Sequence, residues 1–267
     1  MPSMTDVTPP VSATTADPVQ AGREAMARHR WQEAFDQLSK ADLEGNLSGA
    51  DLESLALAAF FAARADVQVS IEERAFKAYE ADGNELRAAY LAVDIARQYG
   101  RAGNQSIASG WVRRAERIIG SEGETYAHGY LALVRSESAA GTGDLEGALA
   151  LAERAVEIGN GAADADLKAY AMTNLGALKI AFGATSDGFA LMEEASFAAV
   201  SGELSPLTSG VTACRMIGAC RDLTDYRRAS EWIEATEKYC DRQSVAGFPG
   251  VCRIHRAEVA AVSGASP

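Results

Sequence analysis

The chain has few residues that would interrupt a helix. Only seven of its 267 residues are proline, and only Pro206 and Pro249 lie within the body of the chain, each beside residues typical of turns. Nowhere do apolar and polar residues alternate as they would in a half-buried strand. Aromatic residues make up 7%, and much of the 48% hydrophobic share is alanine, which favours helices. The composition therefore predicts an all-α protein.

Positive charge is also scarce. The chain has 25 lysines and arginines against 37 acidic residues, which gives a net charge of -12, and it contains no basic run. Nucleic-acid binding needs clustered positive charge to displace counterions from phosphates. We therefore expect no direct contact with nucleic acid.

Long apolar runs are absent and cysteines are few. The longest apolar stretch, residues 55–63, is too short to span a bilayer. Residues 1–18, rich in threonine, serine, proline and aspartate, do not have the pattern of a signal peptide. Four cysteines are too few for a secreted disulfide scaffold of this size. We expect a cytoplasmic protein with reduced thiols and no membrane contact.

The sequence does contain an internal repeat with a period of 37 to 41 residues. Six anchor positions, five of them occupied by a small residue, define it: Ala34, Ile71, Ala108, Ala148, Gly188 and Ala229. The position four residues later is always apolar: Leu38, Ala75, Val112, Ala152, Met192 and Ile233. Residues four apart share one face of a helix, so each anchor predicts a helix with one packed face.

Two further positions recur ahead of each anchor. Twelve residues before it, five of six units carry a small residue that would let a preceding helix approach closely: Gly22, Ala59, Ala96, Ser136, Gly176 and Ile217. Five residues before it stand residues suited to a tight turn: His29, Asp66, Gly103, Gly143, Gly183 and Thr224. The repeat therefore predicts about six pairs of antiparallel helices. Asn46, Gly83, Gly120 and Asn160 are the expected ends of second helices.

The window from Gly143 to Ala148, followed by Ala155, resembles the tetratricopeptide repeat, in which a Gly-Asp turn joins two helices. The resemblance covers residues 18 to 264 and implies a right-handed α-α superhelix. The units here are longer than the family's 34 residues or so, and they lack the proline that ends its second helix. The remaining residues predict a disordered tail over 1–17 and a capping helix over 251–262.

The longer units also resemble the helical arm of large LuxR-type transcriptional regulators. The segments that carry this resemblance are residues 202–205, 225–232 and 248–258. Such regulators also have a basic helix-turn-helix domain and often an ATP-binding domain. The sequence contains neither, and no Gly-x-x-x-x-Gly-Lys-Ser/Thr phosphate loop. The resemblance implies a regulator that acts through another chain.

In the tetratricopeptide family the first helix of each pair faces an inner groove. By that analogy we expect three repeating positions of this sequence to contact a partner. They are Tyr90, Tyr130 and Tyr170, then Val93, Leu133 and Thr173, then Arg97 and Glu137. Tyrosine suits peptide recognition because it combines apolar area with a hydroxyl. The alternative is that the three rings pack between neighbouring repeats.

Cys240, Cys252 and His255 are the best candidates for metal or nucleophilic chemistry. A structural zinc site needs four ligands, usually in closely spaced pairs, and only Cys252 and His255 form such a pair. No third residue orients them as a catalytic Cys-His pair would require. We therefore predict no catalytic residue, metal or cofactor.

The function expected from the sequence is that of a non-enzymatic regulator or adaptor that binds a protein or peptide partner. Two alternatives stay open: an accessory subunit or assembly chaperone of an enzyme complex, and a sensor that binds a small ligand or peptide in its groove. The surface near the capping helix could also support a homodimer.

Overall fold

The structure, a computed structural model, describes residues 17–45, 47–120, 123–243 and 257–262, and within these ranges it contains helices and no strand. Besides a short helical segment over 257–262, the described ranges contain these helices: α1 (Pro18–Ala27), α2 (Trp31–Leu43), α3 (Gly49–Phe61), α4 (Ala65–Ala81), α5 (Glu85–Arg101), α6 (Gln105–Ile119), α7 (Tyr126–Gly141), α8 (Leu145–Gly161), α9 (Ala165–Ala181), α10 (Thr185–Ser201), α11 (Pro206–Asp222) and α12 (Tyr226–Gln243). The prediction of an all-α solenoid is confirmed.

The helices form six antiparallel pairs that stack in chain order. Each odd-numbered helix packs on the even-numbered helix that follows it. The backbones of first helices approach each other closely at α1–α3, α5–α7, α7–α9 and α9–α11, whereas among the second helices in the described ranges only those of α10 and α12 come as close. The first helices therefore lie on the inside of the curve, and the second helices spread around its outside.

Small residues make the close crossings within pairs, as the repeat predicts. A Cβ atom at Gly176 in α9 would lie 2.6 Å from the carbonyl oxygen of Gly188 in α10, and one at Gly22 would lie 2.6 Å from Leu38 Cγ. In the fourth pair, Ser136 Oγ donates a hydrogen bond of 2.8 Å to the carbonyl of Ala148. The residue twelve positions before the anchor thus meets the second helix near the anchor.

The turns within pairs confirm five of the six predicted turn positions and correct the sixth. A residue with positive φ stands at Gly103, Gly143, Gly183, His29 and Thr224. Asp66, the predicted turn residue of the second pair, instead lies inside α4, and Ala63 has the positive φ of 58°. The prediction was three residues out of register. Because a shift of three residues nearly preserves the helical face, Ile71 is buried all the same.

The predicted helix ends are correct at two positions. Gly83 and Gly120 follow α4 and α6 with positive φ. Asn160 lies inside α8, and Ala163, with a φ of 52°, stands in the turn after it. Asn46 lies outside the described residues. The prediction failed at Asn160 because asparagine only tolerates the left-handed conformation and does not require it.

The stack curves until its two ends touch. His29 donates from Nδ1 to the carbonyl oxygen of Gln243 at 2.7 Å, and Phe61 packs against Tyr239 and Cys240. Residues 257–262 are helical, and Val259 is buried against α11 and α12. The rest of the predicted capping helix, 251–256, and the predicted tail over 1–16 lie outside the described residues.

Candidate binding cleft

The inner face of the curve contains a cleft made of two adjoining cavities of about 510 and 120 Å³. The larger lies against α3, α4 and α5, and the smaller reaches deeper, to α7 and α9. Both are bounded on the far side by the start of α11. Their shared lining residues are Gln68, Tyr90, Asp94, Asp166, Ser205 and Leu207. We call this the central cleft.

One wall of the central cleft is formed by an ion pair, Arg87 with Glu53, and by two tyrosines that contact it. Arg87 forms an ion pair with Glu53, to which its Nε donates at 2.9 Å, and its guanidinium lies 4.4 Å from the centre of the Tyr90 ring. Tyr79 donates its hydroxyl to Glu53 at 3.1 Å. Burial, reinforced by the charge of Glu53, raises the pKa of Tyr79 to about 12. The hydroxyl therefore remains a neutral donor in the physiological range.

A buried carboxyl group lies at the edge of the same wall. Glu72 is only 4% exposed and accepts hydrogen bonds from Gln68, at 2.8 Å, and from Gln98. Burial, together with the nearby charge of Asp94, raises the pKa of Glu72 to about 8. Glu72 therefore carries a proton near neutral pH, because water reaches it too little to solvate a second negative charge beside Asp94.

Two arginines enclose the Tyr170 ring at the deep end of the central cleft. The guanidinium carbons of Arg97 and Arg215 lie 4.3 and 4.8 Å from the ring centre. Arg215 donates to Glu137 at 2.6 Å, and Arg97 Nε lies 4.0 Å from the same carboxylate. Burial would raise the pKa of Glu137, but the two arginines outweigh it and hold this pKa below its ordinary value. This network joins α5, α7, α9 and α11.

Four of the predicted groove residues line the central cleft: Tyr90, Arg97, Tyr130 and Tyr170. The rings of Tyr130 and Tyr170 are mostly buried, with 8% and 6% of each residue exposed. Tyr90 and Tyr130 meet edge to face, with centroids 4.9 Å apart. Packing between neighbouring repeats, which the sequence left open as the alternative, therefore accounts for most of the area of Tyr130 and Tyr170.

The other four predicted residues do not line the central cleft. Val93, Leu133 and Thr173 are at most 1% exposed and belong to the packed interior. The prediction that they face the groove was wrong. Three residues rotate a side chain by about 60° around the helix, which takes these positions from the edge of the cleft into the core. Glu137 lines an adjoining pocket between α5, α6 and α7.

Residues from the last two pairs complete the central cleft and were not predicted. Asp166, at the start of α9, accepts a hydrogen bond of 2.9 Å from the backbone N–H of Ser205, and Leu207 follows in α11. These residues face Leu57 and Phe60 of α3, which lie some 150 positions earlier in the chain. The repeat spacing identifies faces within a pair, but only the curvature of the whole stack brings α11 opposite α3.

The candidates for metal or thiol chemistry are not brought together within the described residues. No group of three or more histidine, cysteine, aspartate or glutamate side chains there could hold a metal ion. Cys220 is a free thiol, and Cys252 and His255 lie outside the described residues. Burial raises the pKa of Cys220 to about 12, which keeps its thiol protonated and unreactive.

No protein-family model matches the chain and no curated protein matches it, so the tetratricopeptide and LuxR-type resemblances stay predictions. None of the helices in the described ranges is long and apolar enough to cross a membrane.

Proposed function

We propose that this chain is a non-enzymatic interaction module that holds an extended segment of a partner protein in the central cleft. The observation that carries the proposal is the continuity of the two cavities along the inner face, bounded by five different helix pairs. A cleft built across several repeats suits a stretched segment, which contacts each repeat in turn.

The lining supplies both kinds of contact that a peptide needs. Leu57, Phe60 and Leu207 are partly exposed apolar side chains that can receive apolar residues of the partner. Tyrosine hydroxyls and the Gln68 amide can bond to its backbone. Asp166 lines both cavities and, within the described residues, has no arginine or lysine at ion-pair distance. We therefore propose a partner segment that carries at least one basic residue.

The resemblance to LuxR-type arms supports a regulatory role, in which the module controls transcription through the partner chain and acts as an adaptor. An accessory subunit of an enzyme complex would use the same cleft, and the two roles differ in the partner that it holds.

The test combines capture of partners with a variant that blocks the cleft. Full-length tagged chain is incubated with lysate of the source cells, bound proteins are identified by mass spectrometry, and peptides of the main partner are titrated by fluorescence anisotropy. Leu207→Arg adds bulk and positive charge inside the cleft, so we expect peptide affinity to fall at least about tenfold. Leu223→Arg, at the exposed end of the same helix, is the matched control.

Two results decide the proposal. Loss of binding in Leu207→Arg but not in Leu223→Arg, with both variants showing the parent's circular dichroism spectrum and melting temperature, supports it. Equal binding by both variants would place the partner elsewhere and contradict the proposal. Asp166→Asn should weaken binding only for segments with a basic residue, and increasingly so as salt is lowered.

A further inference from the structure

A second pocket opens between α5, α6 and α7 and adjoins the central cleft, with which it shares Arg97 and Arg101. It has a volume of about 360 Å³. Small residues leave the space, because Ala96 and Gly100 of α5 face Ala108 and Ser109 of α6 there. Of the consecutive helices in the described stack, α6 and α7 are in the least extensive contact, so the third and fourth pairs part at this point.

Arginine dominates the walls of this pocket. Four arginines line it against a single acidic residue, Glu137: Arg97, Arg101, Arg113 and Arg135. We call it the arginine pocket. Such a concentration of positive charge is unexpected in a chain whose net charge is -12.

Half of this positive charge is not neutralised by the protein. The Glu137 carboxylate forms ion pairs with Arg97 and Arg215, and Arg135 forms an ion pair with Glu116 of α6. Within the described residues, Arg101 and Arg113 form no ion pair and no hydrogen bond through their side chains. Both are exposed, one on α5 and the other on α6, so they can close on a ligand from two sides.

The inner end of the pocket holds an unsatisfied buried donor. The Arg97 side chain is only 9% exposed, and its Nε has no hydrogen-bond acceptor within the described residues, since the Glu137 carboxylate lies 4.0 Å away. A buried N–H of a charged group without an acceptor is destabilising. Arg97 therefore keeps unmet hydrogen-bonding capacity at the wall of the arginine pocket.

From these observations we propose that the arginine pocket binds the phosphate group of a small phosphate-bearing metabolite. Arginine guanidinium groups bind phosphate oxygens through paired hydrogen bonds, which gives both strength and orientation. Two uncompensated arginines match the charge of nearly -2 on a phosphate monoester. Val112 and Val134, both partly exposed in the pocket, offer an apolar surface to the rest of the ligand.

The size of the pocket favours a metabolite over a protein segment. Its volume is at the lower end of the range for small-molecule sites, about 300–1,000 Å³. Its walls come from three neighbouring helices, unlike those of the central cleft, which span five pairs. Arg113 and Ser109 line the arginine pocket but not the central cleft, so variants at these two positions test the proposal independently of the proposed partner.

Isothermal titration calorimetry of the full-length chain with inorganic pyrophosphate, at about 150 mM salt, tests the proposal. We expect a dissociation constant below about 1 mM, and at least a tenfold loss of affinity in Arg113→Gln. Arg117→Gln removes an equally exposed arginine of α6 that does not line the pocket, and it should stay within about twofold of the parent chain. Succinate, a doubly charged carboxylate, should bind at least tenfold more weakly than pyrophosphate.

A second pair of variants keeps all four arginines. Ser109→Glu places a competing carboxylate inside the arginine pocket and should abolish binding, whereas Ser106→Glu, on the exposed start of α6, should not. No heat of binding with up to 10 mM pyrophosphate, equal losses in Arg113→Gln and Arg117→Gln, or equal affinity for succinate would each overturn the proposal.

Discussion

Replacing Gly176 by alanine adds one methyl group where the backbones of α9 and α10 touch. The new Cβ would lie 2.6 Å from the carbonyl oxygen of Gly188 and 2.6 Å from Met192 Cγ. Met192 can rotate away, but the carbonyl belongs to a helix backbone and can move only if the whole helix shifts. Overpacking of this kind destabilises by about 1–3 kcal/mol. The greater helix propensity of alanine offsets up to about 1 kcal/mol of this cost.

We therefore expect Gly176→Ala to lower the free energy of unfolding by about 1–2 kcal/mol. Gly110→Ala is the control, because a Cβ there would meet nothing within 4 Å on the exposed face of α6. That substitution should raise stability by about 0.5–1 kcal/mol. Urea unfolding followed by circular dichroism at 222 nm measures both as shifts of the midpoint in opposite directions. A Gly176→Ala chain as stable as Gly110→Ala would refute the claim that backbone contact sets the spacing of this pair.

Three further predictions concern buried charge and backbone conformation. Glu72 keeps its proton up to about pH 8 in the folded chain but loses it near pH 4.5 when the chain is unfolded. Glu72→Gln should therefore stabilise the fold by on the order of 2–4 kcal/mol at pH 8.5 and by little at pH 4. Urea unfolding measures both values, with the exposed Glu153→Gln as the control. Glu137→Gln removes the carboxylate shared by Arg97 and Arg215 and should cost about 2 kcal/mol at pH 7. The loss should shrink as pH falls through the lowered pKa of Glu137, so a constant loss at every pH would contradict the network. Ala163 has a φ of 52°, a conformation that costs alanine about 1 kcal/mol, so Ala163→Gly should raise the melting temperature. The neighbouring Ala162 has a φ of -82°, so Ala162→Gly should lower it.

The sequence was sufficient to predict the pairing of helices, because that pairing depends on local features. A glycine such as Gly143 indicates the turn within one unit of the repeat, and an anchor such as Ala148 indicates where the two helices of that unit cross. The one register error, at Asp66, went undetected in the sequence because three residues along a helix return to nearly the same face.

The central cleft was only partly predictable, because it depends on how far the stack curves. Tyr90 and Arg97 could be placed on the inner face by their period, but the facing wall at Asp166 and Leu207 follows from the sum of rotations over several units. The direction of side chains within one unit was also misjudged. Val93 lies only three residues from Tyr90, yet this is enough to turn it into the core.

The contact between the first and last pairs has consequences for how the molecule folds and moves. In a stack of repeats each unit touches only its neighbours, so its structure can grow from any point. The bond between His29 and Gln243 joins positions 214 residues apart and can form only when all six units are in place. It depends on a few side chains rather than on paired helices, so it can break while every helix stays intact. Such parting would widen the mouth of the central cleft.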